Sequence, residues 1–291
     1  MSNPRISVVT PAFNEAEHIR ETLESVSVQD YPNVEHIIID DGSTDQTPSI
    51  LAEFSSNHEL RVVRTENRVQ SAALNTGFEQ ATGDYVAWVN GDDILFTRTA
   101  LSRVVEAFEA DEDVDLVYGM HALIDGEGTF RGLHVPVPWF DINRLKRWCF
   151  GAFVFMRRDV ARTYSLDTNY NYALDYEMFL RAATNGCEFA YVPNTLLGYR
   201  THNATKSVQG AEDMHDESQV IKQRYGVKIG LSHYLHRVFD KVLLTGLRFY
   251  GLLTILTLLQ HKKKLTTEDA MGSWLSCLVA QLQRISPTTT H

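Results

Sequence analysis

The N-terminal part of the chain alternates short apolar runs with helix-length amphipathic stretches. Runs at residues 6–10 (ISVVT), 34–40 (VEHIIID), 60–64 (LRVVR) and 85–89 (YVAWV) predict four strands. Residues 15–28, 45–57 and 70–81 predict helices between them, separated by breakers such as Tyr31-Pro32-Asn33 and Thr82-Gly83-Asp84. Apolar strands that alternate with helices indicate parallel strands covered on both faces. Right-handed crossovers then give a doubly wound α/β sheet. Further along, strands are expected at 116–120, 129–133, 152–156, 189–192 and 196–199. A helix is expected over 175–185, where Met178, Phe179 and Ala182 are apolar at helical spacing.

In such sheets ligands lie beyond the C-terminal strand ends. Strand one runs into Thr10-Pro11-Ala12-Phe13-Asn14-Glu15, strand two into Asp40-Asp41-Gly42-Ser43-Thr44-Asp45, and strand four into Asn90-Gly91-Asp92-Asp93. Three acid-rich loops therefore converge on one sheet edge. Adjacent carboxylates such as Asp92 and Asp93 repel unless a cation or donor lies between them, and a hard divalent ion accepts such oxygens together with substrate phosphates. The other reading is that one of them caps a following helix. The same two readings hold for residues 40–45: a helix start with Gly42 at positive φ, or Asp41 accepting a base N–H. Neither G-x-G-x-x-G nor G-x-x-x-x-G-K-[ST] follows a strand, so phosphates here need a metal rather than a glycine cradle.

Composition narrows the partners. The 291 residues carry a net charge of −10, which argues against a broad grip on nucleic acid. The charge is uneven: between Lys222 and Lys264 there are nine Lys/Arg and one acid, Asp240. Cys149, Cys187 and Cys277 are too scattered for a disulfide framework or a zinc site. The opening MSNPRISVVTPAFNE has no leader pattern, so a cytoplasmic chain is expected. Residues 242–260 approach the length of a membrane span but hold Arg248 near the middle. With basic flanks, 237–264 suits peripheral contact at the inner face of a membrane. A helix packed on the body or on another subunit of a homo-oligomer is the alternative.

The stretch VVTPAFNEAEHIRETLESVSVQDYPNVEHIIIDDGSTDQT resembles the opening of family 2 glycosyltransferases. NRVQSAALNTGFEQATGDYVAWVNGDD, NYALDYEMFLRAATNG and LLGYRTHNATKS match the same family in the same order, so the resemblance covers residues 4–207. It implies the GT-A fold: a Rossmann-like doubly wound mixed sheet with helices on both faces, expected over residues 1–220; the pattern of the remainder adds an expected helical extension over 221–291. It further implies a nucleotide-diphospho-sugar donor, a divalent ion (Mn²⁺ or Mg²⁺) and inversion at the anomeric carbon; a UDP-linked donor is favoured, and a glycan or lipid-linked acceptor is expected, the latter in keeping with membrane contact by the basic segment. By position, Pro11, Ala12, Phe13 and Glu15 line the nucleoside pocket, and Asp41, with Asp40 beside it, meets the uracil. Asn90-Gly91-Asp92 stands at the D-x-D motif, with Asp92 a metal ligand and Asp175 the general base. Asn90 and Leu174 stand where the family often has acids.

His202 is a second candidate metal ligand or diphosphate contact, and Arg200 a candidate for phosphate. Gln70 and Asn75 either touch substrate or bond locally, and Trp139, Trp148 and Phe150 form either an acceptor wall or core. The rival readings are a catalytically degenerate carbohydrate-binding protein and a sugar nucleotidyltransferase. The glycine-rich Arg/Lys loop of the latter is missing from TPAFNEAEH.

Overall fold

The structure is a computed structural model. It describes residues 3–66, 69–136, 140, 142–146, 154–202 and 205–227. Nine strands form one sheet among these residues: β1 (Ile6–Ala12), β2 (Val34–Asp40), β3 (Glu59–Arg64), β4 (Tyr85–Trp88), β5 (Ile94–Leu95), β6 (Val114–Asp125), β7 (Phe130–His134), β8 (Val154–Arg157) and β9 (Glu188–Thr201). Their order is β3-β2-β1-β4-β8-β6-β9-β5, with β7 paired to β6. β1 lies parallel to β2 and β4, and β2 parallel to β3, while β8 runs antiparallel to both β4 and β6. The sheet is thus mixed, as the resemblance implied.

The helices are α1 (Ile19–Ser27), α2 (Thr47–Glu53), α3 (Gln70–Gln80), α4 (Ala100–Ala110), α5 (Ile142–Leu145), α6 (Arg158–Thr163), α7 (Leu174–Thr184), α8 (Lys206–Gln209) and α9 (Ala211–Arg224). They cover both faces. Val9, Ile37 and Ile39 pack beneath α3 and α7, through Leu74, Phe78 and Phe179. Ile6 and Val8 face Leu101, Val104 and Phe108 of α4, and Ile38 meets Leu23 and Leu51 of α1 and α2. Successive isoleucines of β2 therefore serve opposite layers, as the two-residue period of a strand requires. Each fully buried Ile or Leu contributes about 1.5–3 kcal/mol relative to exposure.

Two expectations are corrected. The strands anticipated at 189–192 and 196–199 are one, β9. Pro193 and Asn194 are absorbed by a register shift, Gly119 pairing with Val192 and Met120 with Thr195. A bulge lets a strand carry a proline without breaking its ladder. Nor does a helix follow Asp93 directly: the short β5 intervenes, and α4 is preceded by Thr99. Asp92 and Asp93 therefore cap no helix. Residues 228–291 lie outside the described residues, and with them most of the expected extension and the 237–264 segment. No helix among the described residues is long and apolar enough to cross a membrane.

Candidate active site

The loops after β1, β2 and β4 share one edge of the sheet, and hydrogen bonds lace the first two together. Asn14 N–H donates to Ser43 Oγ (3.0 Å), Glu15 N–H to Thr47 Oγ1 (2.9 Å) and Ala16 N–H to Asp45 Oδ2 (3.0 Å). Asn14 sits at φ 55°, and its side-chain oxygen accepts from Thr44 N–H at 2.8 Å. Asparagine tolerates that left-handed conformation better than most residues, because its short polar side chain bonds locally. Gly42, at φ 80°, takes the positive φ expected of it.

Pro11, Ala12, Phe13, Glu15, Asp41, Gly91 and Asp92 line a cleft of about 1320 Å³ together with Asp175 and His202. Phe13 is 43 % exposed. Asp41 is buried and accepts from Thr65 Oγ1 at 2.7 Å. Asp40 is not brought to the cleft. Its carboxylate takes Arg64 Nη1 (2.5 Å) and Ser43 N–H (2.9 Å), so it organises the loop that presents Asp41. Adjacent residues at a strand end point opposite ways, and only one of the two can face the cleft.

The turn after β4 is built around a buried acid. Asp93 accepts from Asn90 Nδ2 (2.8 Å) and from the backbone N–H of Arg200 (2.9 Å). Burial, then the charge of Asp92, raises its pKa well above the usual carboxylate range. Asn90 is fully engaged: its oxygen accepts from Trp88 Nε1 (2.8 Å) and Gln70 Nε2 (3.0 Å). Thr22 Oγ1 lies within hydrogen-bonding distance of the Gly91 and Asp93 carbonyls (2.9 and 2.7 Å). A Cβ on Gly91 would stand 2.9 Å from Glu15 Cγ and 3.2 Å from Pro11 O, so this close approach of two loops requires glycine.

The Asp93–Arg200 bond fixes the end of β9 against this turn, and two residues further on His202 Nε2 lies 3.3 Å from Asp92 Oδ2. Glu15 adds a carboxyl beside them, its pKa pushed up to about 8 by burial, then by Asp92, Asp45 and Glu17. Arg200 faces no phosphate. Fully buried, it pairs with Glu21 (2.6 Å) and donates from Nε to the Asp92 carbonyl (2.7 Å). The donor set fits one divalent ion: a carboxylate and an imidazole in contact, amid an excess of carboxyls. Among the described residues no cluster of three or more His, Cys, Asp or Glu side chains is placed to hold a metal. Asp92 and His202 would thus be the protein ligands, leaving positions for diphosphate oxygens and water.

Asp175 begins the first turn of α7, half-buried on the opposite cleft wall. Three groups at or beside the cleft escaped the sequence reading. Glu217 of α9 accepts backbone N–H bonds from Asn171, Tyr172 and Ala173 at 2.8–2.9 Å. Lys206 Nζ donates to Asn171 Oδ1 (2.8 Å) and Gln70 Oε1 (3.1 Å), and burial lowers its pKa to about 8. His18 stacks at a tilt on His202, ring centroids 4.8 Å apart. Lys206 and His18 lie inside the resembling segments, which was their only signal. Glu217 had none. Asn75 does not reach the cleft; it clamps both backbone groups of Leu166 (2.8 and 2.9 Å). Trp139, Trp148 and Phe150 lie outside the described residues.

Comparison with known proteins agrees with the fold and gives the family. Residues 7–165, more than half of the chain, match Glycosyl transferase family 2, and the chain belongs to that family. It is 28% identical over 213 residues to the amylovoran biosynthesis glycosyltransferase AmsB of Erwinia amylovora, covering 68% of this chain and 70% of that one. The structure resembles S. aureus TarS in complex with UDP-GlcNAc, with a TM-score of 0.63 and 21% identity over 75% of this chain and 65% of that one. It also resembles the Pyrobaculum calidifontis mannosyltransferase PcManGT in complex with GDP-Man and Mn²⁺, with a TM-score of 0.60 and 22% identity over 99% and 82%. The chain spans between 18% and 24% of the length of the curated relatives that match it first.

Proposed function

We propose that the protein is a metal-dependent inverting glycosyltransferase. It moves a sugar from a nucleotide-diphospho-sugar, UDP-linked by preference, to an acceptor hydroxyl in polysaccharide or cell-envelope glycan synthesis. One observation carries the reading: the contacting pair Asp92 and His202 shares a cleft with Asp175 on the facing wall. The complexes of TarS with UDP-GlcNAc and of PcManGT with GDP-Man and Mn²⁺ lend support to the donor class and to the ion. AmsB lends support to polysaccharide synthesis.

In this reading Asp92 and His202 hold the ion, whose charge when bound offsets that of the leaving diphosphate. Asp41 accepts the uracil N–H. Pro11, Ala12, Phe13 and Glu15 flank the nucleoside, and Asn90 and Gly91 shape the turn beneath it. Asp175 removes the proton of the attacking hydroxyl as its oxygen displaces the diphosphate from the anomeric carbon. The displacement is in line, so no covalent enzyme intermediate forms.

The test is thermal unfolding with UDP, GDP, CDP and dTDP, each with Mn²⁺, Mg²⁺ or EDTA. A ligand at a hundred times its Kd stabilises by about 2.7 kcal/mol. One diphosphate is expected to stabilise only with metal, and Asp92→Asn to abolish the shift. Asp175→Asn should keep the shift while transfer falls about 10²–10⁴-fold. Absence of stabilisation by every diphosphate overturns the reading.

A further inference from the structure

The two walls of the cleft differ in charge. The wall built by the loops after β1, β2 and β4 carries four acids, Glu15, Glu17, Asp41 and Asp92, beside one imidazole, His18. The wall built by β6, β7, α7, α8 and α9 carries one acid, Asp175, against His121, His134, Lys206, His215 and Lys222. This wall holds two lysines and three imidazoles against one acid, on a chain with 37 acidic and 27 basic side chains.

Helix α9 shows that the bias is built in. Its cleft-lining positions are 211, 214, 215, 218 and 222, spaced by three and four, and they hold no acid. Its exposed acids Glu212, Asp213 and Asp216 lie off the cleft, and Glu217 is committed to the backbone of residues 171–173. Lys206 donates to two neutral amide oxygens, so Glu217 offsets its charge only at a distance.

His121 and His134 face each other across the β6–β7 register and stack with ring centroids 4.4 Å apart. Tyr199, hydrogen-bonded to Ser207, stands edge-on to His121 at 6.4 Å and feels the charges of Asp92, Asp93 and Asp175. The pair is therefore joined through Tyr199 to the reacting end of the cleft. Imidazoles donate N–H bonds to an anionic oxygen whether neutral or charged.

We propose that the acceptor carries an anionic oxygen group, a sugar carboxylate or a phosphate, which seats on the wall formed by Lys206, Lys222 and the His121–His134 pair. This rests on the transferase reading, in which the donor diphosphate sits at Asp92 and His202 and leaves the lysine- and imidazole-bearing wall to the acceptor. Ammonium and imidazole donors favour such a group over a neutral hydroxyl.

The test is ligand titration followed by saturation-transfer NMR on the full chain, saturated with the nucleoside diphosphate and metal that stabilise it. The probes are methyl glucoside and methyl galactoside, the corresponding methyl uronides, and the two hexose 6-phosphates. Anionic probes are expected to bind about tenfold tighter than the neutral glycosides, as several partly shielded charges together permit. The preference should shrink with added salt. It should fall to about threefold or less in the double variant His134→Gln/Lys222→Gln, whose nucleotide shift reports an intact fold. Preference for the uronides alone identifies a carboxylate acceptor, and for the phosphates alone a phosphorylated or lipid-diphosphate acceptor. Equal or absent binding of all probes, alongside a normal nucleotide shift, overturns this inference alone. Absence of any nucleotide shift overturns the transferase reading and this inference with it.

Discussion

Asn90 stands where the resemblance leads one to expect an acid, and its contacts show what an amide supplies there. Its amide oxygen accepts from Trp88 and Gln70, and its NH₂ donates to the buried Asp93 at 2.8 Å. A carboxylate at 90 would keep the first two bonds and set two acids in contact, and two carboxylates that close cannot both ionise. Asn90→Asp should therefore destabilise the metal-free protein by about 1–3 kcal/mol, the cost of spoiling a buried hydrogen bond. One of the paired carboxyls would have a raised pKa in the folded state, so the penalty should grow as pH rises. Denaturant unfolding at pH 5 and pH 8 measures this, and an equal or larger penalty at pH 5 refutes it. The substitution was legible in the sequence; its partner was not, because Asp93 reads there as a cation ligand or a helix cap until β9 brings the Arg200 backbone over it.

Helix α9 has mostly exposed residues and one fully buried apolar side chain, Ile221. Its contribution is polar. The N-cap residue of α7, Ala173, offers no side-chain bond; Asp175 Oδ1 accepts from Tyr176 N–H (2.7 Å), and Glu217 of α9 accepts three successive N–H bonds, from residues 171–173, in the turn that leads to Asp175. Satisfying exposed backbone donors at a helix start fixes the entry of the chain. Glu217→Gln should thus lower kcat about tenfold or more, as misplacement of a catalytic group does. The nucleotide shift should persist, and the amides of 171–173 should exchange faster. Unchanged exchange there would refute the assignment. Placement of such a helix by sequence alone fails because its signal is a contact between residues more than forty positions apart.

Buried ionisable groups of opposite kind set the pH response of the protein. His36, bonded to Thr10 Oγ1 at 2.9 Å, has its pKa lowered to about 3 by burial, then by His58. His121 is likewise lowered to about 3, by burial and then His134. Unfolded, both bind protons near pH 6.5, so their contribution is full above that pH and is lost as pH falls towards 3. Glu15 works the other way: with its folded pKa at about 8, its contribution is full below about pH 4.5 and is lost as pH rises through 8. Asp93 is shifted in the same direction. Metal-free protein should be most stable at mildly acidic pH and lose up to about 1.4 kcal/mol per pH unit per such carboxyl between pH 6.5 and 8. Denaturant midpoints in EDTA measure the curve, and Glu15→Gln should flatten that limb. A wild-type midpoint that rises over the same range contradicts the account.

Strand and helix identity along β1–β4, the convergence of their loops and the family itself all follow from local patterns: continuous apolar runs, helical spacing and loop residues in fixed order. These need only neighbours in the chain. The facing of individual polar groups does not follow in that way. Asp40 and Asp41 are adjacent acids that local pattern treats alike, and only the resemblance singles out Asp41; in the structure one braces Arg64 and the other lines the cleft. Arg200 and His202 sit two apart, yet one is sealed in the interior and the other meets Asp92. Those outcomes depend on which distant strand or helix arrives to offer a partner. A buried polar group must be satisfied, and its partner can come from anywhere in the chain.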